Sequence, residues 1–240
     1  MRTLFISDLH LTPERPQIIQ LFVRFLGQQA CRADALYILG DLFEYWIGDD
    51  AAEHIGHRSA VESLRSLCDS NVPVYIMRGN RDFLLGEHFC DQTGCQLLTE
   101  PMRLCLYDQQ VLIMHGDSLC TDDVDHQLFR KRVLDPAWQR DFLARPILER
   151  LEIALDLRKG SENSKRQKSA AEMDVNQTTV ESVMRTHNVD LLIHGHTHRA
   201  AIHEMELDGR RARRIVLGDW YQHSSVLTWS EDRYALTSSP

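Results

Sequence analysis

Thr3-Leu4-Phe5-Ile6-Ser7-Asp8-Leu9-His10 opens the chain with an apolar run that ends on two metal-competent side chains. Four later runs repeat the design: Ala35 to Leu39, Val74 to Met77, Val111 to Met114 and Asp190 to Ile193. All are short, apolar and rich in branched residues, as strands buried on both faces are, and polar residues follow each at once. Between the first few lie helical patterns, Pro16 to Gln29 with Ile18, Phe22 and Phe25 on one face, and His57 to Cys68 with Val61, Leu64 and Leu67. Strand and helix alternate as in an α/β fold.

Toward the end the pattern turns antiparallel. Ala201 to Leu207 and Arg213 to Leu217 flank an Asp208-Gly209 turn, and Val226 to Trp229 is followed by Tyr234 to Leu236. The expected architecture is an α/β layered sandwich, two central mixed β-sheets flanked by helices, in one domain over residues 1–240. Residues 124–171 interrupt it with helical runs at Leu128 to Val133 and Trp138 to Leu157, broken by Pro136 and Pro146, and then a polar basic loop from Arg158 to Lys168. This segment reads as an inserted helical lid, the plainer alternative being a helical hairpin packed on the core.

Bulk properties narrow the function classes. A formal charge of −8 argues against electrostatic tracking of nucleic-acid backbones. The charge is uneven, since Val124 to Lys168 carries 11 Lys and Arg against 7 Asp and Glu. Six cysteines show no Cys-x-x-Cys pair and no zinc-knuckle spacing, which reads as reduced core thiols. With no signal-like or membrane-spanning run, the expected location is cytoplasmic, at most peripheral to a membrane.

The chemistry-bearing residues share one placement. Asp8 with His10, Asp41, Asn80, His115, and His196 with His198 all stand just past expected strands, where the carboxyl ends of an α/β sheet gather. In extended chain, residues two apart point the same way, which suits Asp8 with His10 and His196 with His198. Gly40, Gly79, Gly195 and Gly116 adjoin the ligands and are expected to turn the backbone sharply. A single Asp or His after a strand is ordinarily a cap. Five such clusters point to a metal centre with nitrogen and oxygen donors, which suits manganese, iron, zinc or cobalt.

Asp8-Leu9-His10, Gly40-Asp41, Gly79-Asn80-Arg81-Asp82, His115-Gly116-Asp117 and Gly195-His196-Thr197-His198 resemble, in order, the five signature blocks of calcineurin-like metallophosphoesterases. That resemblance implies two divalent metal ions, one on Asp8, His10 and His198, the other on Asn80, His115 and His196, with Asp41 bridging. It also implies attack on phosphorus by a metal-bound hydroxide. Arg81 stands where the wider family often has a His that protonates a leaving alkoxide. A phosphate leaving group needs no such proton, because its second pKa is about 6, and a guanidinium suits it as a bidentate partner.

Further words, Asp41-Leu42-Phe43-Glu44, Trp46-Ile47-Gly48-Asp49-Asp50, the run from His115 to Asp123, and Met173-Asp174-Val175-Asn176, are similar to the UDP-2,3-diacylglucosamine diphosphatase family of lipid A biosynthesis. The resemblance implies hydrolysis to UMP and 2,3-diacylglucosamine 1-phosphate, two ions that are manganese, and a peripheral site on the cytoplasmic face of the bacterial inner membrane. It implies catalytic roles for Asp41, Asn80, Arg81 and His115, and substrate contacts from Asn80, Arg81, Asp123, Ser161, Lys165, Lys168 and His196. An apolar trough for acyl chains is expected from Trp138, Phe142, Ile147, Leu148, Leu151 and Leu155. A monomer with no nucleic-acid partner is expected. The rivals are a phosphodiesterase for soluble nucleotides and an inactive scaffold of the same fold. His194 reads as a core or supporting histidine, and the roles of Asp117, Asp122 and Trp46 stay open.

Overall fold

The computed structural model describes residues 2–231 and 233–239, and Lys165 and Gln167 without their side chains. Strands β1 (Arg2–Ile6), β2 (Ala35–Leu39), β3 (Val74–Met77) and β4 (Gln96–Leu98) run parallel, and β10 (Ser224–Ser230) and β11 (Arg233–Ser239) add antiparallel beside β1. A second sheet holds β5 (Met102–Leu106), β6 (Gln109–Met114), β7 (Leu191–His194), β9 (Arg210–Val216) and β8 (Ala201–Leu207) in that order. There β6, β7 and β9 are parallel, and β5 and β8 are antiparallel edges. Both sheets are mixed, as the sequence predicts. Neither β4, only three residues long, nor β5, which alternates half-buried Met102, Leu104 and Leu106 with exposed Arg103 and Cys105, is among the runs singled out in the sequence.

Alternation along each strand builds two apolar layers. Leu4 and Ile6 of β1 face helices α1 (Pro16–Gln28) and α2 (Arg58–Asp69), packing on Ile18, Phe22, Phe25 and Leu64. Phe5 points the other way and shares a second apolar cluster with Tyr37, Leu39 and Met77 and with Leu112, Ile113 and Ile193 of the other sheet. Phe5, Tyr37 and Tyr75 stack in sequence at centroid distances of 5.0 and 4.7 Å. Helix α7 (Gln177–Thr186) covers the outside of the second sheet through Val180 and Met184. Helix α3 (Glu87–Thr93) contributes Phe89 to the first layer.

Between β6 and α7 the chain forms α4 (Val124–Val133), α5 (Pro136–Leu143) and α6 (Ile147–Gln167). Pro136 starts α5 and Pro146 separates α5 from α6, since proline removes a backbone donor that a helix interior needs. One expectation is overturned: the polar run from Arg158 is no loop but the last turns of α6. It contains no proline, and Arg158 pairs with Glu162 one turn on at 3.2 Å. The flanks of this segment are clamped, because Asn176 caps α7 through Thr179 N and donates to both oxygens of Asp122 at 3.1 and 3.0 Å. That accounts for Asp122.

His57 is fully enclosed against Phe43, at a centroid distance of 4.4 Å, and Trp46, at 5.8 Å. Burial lowers its pKa to about 4, so folding favours the neutral ring. The stability this contributes is complete above the unfolded value near 6.5 and is lost as pH falls toward 4. Between pH 7 and pH 5 the wild type is expected to lose about 2 kcal/mol more than a His57→Phe variant, read from urea midpoints at the two pH values.

Candidate metal centre

The carboxyl ends of β1, β2, β3, β6 and β7 meet along one rim where the two sheets face each other. Backbone bonds tie the loops there: Asp8 N donates to Gly40 O at 3.1 Å, Gly195 N to His115 O at 2.8 Å, and Trp220 N to Asp8 O at 3.1 Å. The ligand segments are not extended, which corrects the expectation for Asp8 with His10 and His196 with His198. Asp8, His10, Asp41, His196 and His198 all take positive φ, between 49 and 66°. Asp and His enter this region more readily than branched residues, and the surroundings must hold them there.

Two donor groups result. Asp8, His10 and His198 offer ligand atoms within 4.8 Å of one another, and so do Asp41, His115 and His196. Asn80 joins the second, its Oδ1 lying 3.0 Å from His115 Nε2 and 2.8 Å from His196 Nδ1. Asp41 faces both ways, with Oδ1 3.7 Å from His115 Nε2 and Oδ2 3.8 Å from His10 Nε2. All seven side chains named from the sequence therefore converge.

Two of the neighbouring glycines act by clearance rather than by turning. A Cβ on Gly79 would overlap the Asp41 carboxylate, and one on Gly195 would overlap Ser7 and Asp8.

Electrostatics suits cations. Asp8 and Asp41 are 0% and 2% exposed. Burial works against charge on His115, yet the carboxylates of Asp41, Asp117 and Asp8 raise it to about 10. His198 is raised to about 9, burial again opposing, by Asp8 and Asp219. Positive charge is thus favoured at both groups. Imidazole nitrogens and carboxylate oxygens from four loops, with the Asn80 amide oxygen from a fifth, fit two divalent ions of the first transition row.

One supporting group, Asp82, has no role assigned from the sequence, whereas His194 reads there as a core or supporting histidine. Asp82, fully buried, accepts from Gly79 N at 2.7 Å, Phe43 N at 3.2 Å and Asp41 N at 3.3 Å, so one carboxylate fixes two ligand loops. Burial and the charge of Asp41 push it up to about 7. A carboxylate following the Gly79-Asn80-Arg81 turn was the available signal. His194 lies behind the centre, its ring between Gly195 O at 2.9 Å and Arg214 Nη1 at 3.2 Å, and burial lowers it to about 4. Asp117 orients no ligand histidine; it pairs with Arg130 at 3.0 Å and faces His126 at 3.7 Å.

Beside the centre opens a cavity of about 520 Å³ lined by Asn80, Arg81, Asp123, Ser161 and Lys168 at its polar end. Its apolar wall corrects the expected trough: Trp138 and Phe142 belong to it, but α6 contributes Ile153, Ala154 and Leu157. Ile147 and Leu151 pack on the core, while Leu148 and Leu155 are 75% and 40% exposed. Helical phase decides this, because 153, 154 and 157 share a face that 148 and 155 do not. Trp46 lines the cavity and donates to Asp49 at 2.8 Å. Lys168 pairs with Asp123 at 2.5 Å, and the Lys165 side chain lies outside the described residues.

Fold, rim and donor groups together define a two-metal phosphoesterase. Residues 1–200 match the family model for calcineurin-like phosphoesterases. The chain is 49% identical to a UDP-2,3-diacylglucosamine hydrolase of Stenotrophomonas maltophilia (strain K279a), covering 98% of this chain and 99% of that one. It is also 49% identical to the protein of that name in Escherichia coli O7:K1, over 100% of both. Among solved structures, an archaeal phosphodiesterase aligns with a TM-score of 0.51 at 13% identity, covering 99% of both chains. A dimetal phosphatase from Danio rerio aligns with 0.50 at 10% identity, over 100% of this chain and 96% of that one, and both likenesses concern the fold alone. The chain belongs to the calcineurin-like phosphoesterase family, in the branch of the UDP-2,3-diacylglucosamine hydrolases.

Supporting groups around a metal site typically carry a tenfold to hundredfold share of its affinity. Asp82→Ala is expected to weaken manganese binding by about 10–100-fold, measured by titration calorimetry on the metal-free protein. Unchanged affinity would remove Asp82 from the support of the centre.

Proposed function

We propose that the chain cleaves the pyrophosphate bond of UDP-2,3-diacylglucosamine, releasing UMP and 2,3-diacylglucosamine 1-phosphate in lipid A biosynthesis. The observation that carries this reading is a metal-competent rim opening into one cavity with cationic and apolar ends. A diphosphate with acyl chains has the same two-ended character. The names borne by the full-length relatives support the same substrate.

In this reading Asp8, His10 and His198 hold one ion, Asn80, His115 and His196 the other, and Asp41 lies between them. Bound divalent ions, manganese by the family resemblance, supply Lewis acidity toward phosphoryl oxygens and a water acidified toward neutral pH. The remaining work falls to side chains. Arg81 Nη2 donates to Ser161 at 3.4 Å while its buried Nε has no hydrogen-bond partner among the described residues, which suits an incoming phosphate oxygen. Held there, the guanidinium stabilises the departing sugar phosphate as a bidentate cation. Asn80 and His196 sit where they touch both ion and substrate, and Asp123, Ser161, Lys165 and Lys168 take the sugar and its phosphate.

Residues 124–171 act as the lid over the acyl chains, within a single domain that works as a monomer. No helix among the described residues is long and apolar enough to cross a membrane. Contact with the cytoplasmic face of the inner membrane instead runs through Val124, Leu128 and Leu148, which are 63, 62 and 75% exposed on the lid. Lys131 and Arg132 follow Leu128 by one turn of α4 and Arg145 precedes α6, all three exposed, each such cation near an anionic surface being worth about 1 kcal/mol.

The test is manganese-dependent hydrolysis of UDP-2,3-diacylglucosamine in oxygen-18 water, followed by phosphorus NMR. Label in UMP is expected, with kcat/KM lowered about 100-fold or more in Arg81→Ala. Turnover of a plain phosphodiester without turnover of the acylated substrate would remove the substrate and leave the metal centre. For the membrane face, Leu128→Asp with Leu148→Asp is expected to abolish co-sedimentation with anionic vesicles while hydrolysis of detergent-dispersed substrate continues. Equal sedimentation would move the contact elsewhere.

A further inference from the structure

Glu44 belongs to neither donor group, yet it is a buried carboxylate, 6% exposed, on the cavity wall between the metal centre and α6. Arg15 Nη2 donates to its Oε2 at 2.7 Å, and Arg158 Nε, carried by α6, pairs with its Oε1 at 2.5 Å. Arg15 Nη2 also donates to the carbonyl of His10 at 2.6 Å. The Arg15 guanidinium lies 4.6 Å from the centre of the Tyr221 ring, which stacks on His10 at 5.4 Å. One carboxylate thereby connects the lid helix to the loop of the first donor group.

Arg158 shares a face of α6 with Ser161, three residues on, and Ser161 accepts from Arg81. The two arginines are thus neighbours on one cavity wall. A guanidinium carries five N–H donors, so Arg158 retains donors beyond its pairs with Glu44 and Glu162. Two adjacent arginines would repel each other unless an anion lay beside them, and Glu44 occupies that place.

We propose that Glu44 is a positioning residue: it holds Arg158 of α6 against the metal side of the cavity, so that Arg158 joins Arg81 in binding the substrate phosphate. The inference rests on the lid and substrate assigned above. Glu44 acts through Arg158 and contacts no substrate itself. It also fastens α6 whether or not substrate is present, and this separates the two claims experimentally.

The experiment compares manganese-loaded wild type, Glu44→Gln, Arg158→Gln and the double variant. Each is measured by hydrogen exchange over residues 150–164, by metal content and by steady-state kinetics on UDP-2,3-diacylglucosamine. Both single variants are expected to raise exchange in α6 about tenfold and KM about tenfold, with a smaller fall in kcat. The double variant should be no worse than the weaker single, since the two residues work as a pair. Unchanged exchange in α6, or effects that multiply in the double variant, would overturn the proposal. Metal loss in Glu44→Gln with α6 exchange as in wild type would equally overturn it, leaving Glu44 as a support for His10. If Glu44→Gln does not fold, Arg158→Gln alone still reads the tie through exchange. Failure of wild type to hydrolyse the lipid would sink the substrate assignment, while the exchange arm would still decide the tie.

Discussion

Two carboxylates buried side by side are the constraint around which this molecule is built. Asp8 and Asp41 end adjacent parallel strands and are almost wholly removed from water. Burial raises the pKa of Asp41 and the charge of Asp8 adds to the rise, so the site is stable only if positive charge or hydrogen-bond donors answer them. His196 N donates to both Asp8 oxygens at 3.1 and 2.9 Å, Arg81 N donates to Asp41 at 2.8 Å, and imidazoles close in from His10 on the Asp8 loop and from the loops after β6 and β7. Left-handed backbone at five ligand positions and the clearance at Gly79 and Gly195 follow from the same demand. Side chains must come close enough to share cations, and ordinary extended strand ends would hold them apart.

The layered fold supplies this geometry through strand direction. Parallel strands of one sheet deliver Asp8, Asp41 and Asn80 to a rim, and parallel strands of the other deliver His115 and His196 to the same rim. Antiparallel partners lie outside these strands and carry no ligand. The chain then has room beyond β6 for helices that never enter either sheet, and they wall a cavity at the open side of the centre. Electrostatic ties reach from those helices back to the body. Arg150 of α6, 2% exposed, donates to Ile47 O and to Asp50, and Arg158 pairs with Glu44. Polar anchors of this kind fix where the helices sit, beside the apolar packing of Trp138 on Phe83 and of Phe142 in the core.

Much of the centre was legible in the residues because each ligand follows its strand directly. A short run buried on both faces marks the strand, and the Asp, Asn or His within three residues of its end marks the rim. Support groups were not legible in the same way. Asp82 carries no role in its sequence word until its carboxylate is seen bound to three backbone N–H groups from two loops. Glu44 is only the end of the Asp41 to Glu44 word until Arg15 and Arg158, 29 residues before and 114 after it, are found against it.

The sequence by itself determined the strand and helix alternation and the order of the metal-competent side chains, since these depend on residue type and local spacing. Tertiary structure alone decided that Arg158 to Gln167 continues a helix and that its Ile153 and Leu157, rather than Leu148 and Leu155, face the cavity. It likewise decided which acids support the centre. The physical reason is that helix phase against a partner and the pairing of distant charges are set by packing between elements, and nothing in the local pattern of either partner carries that information.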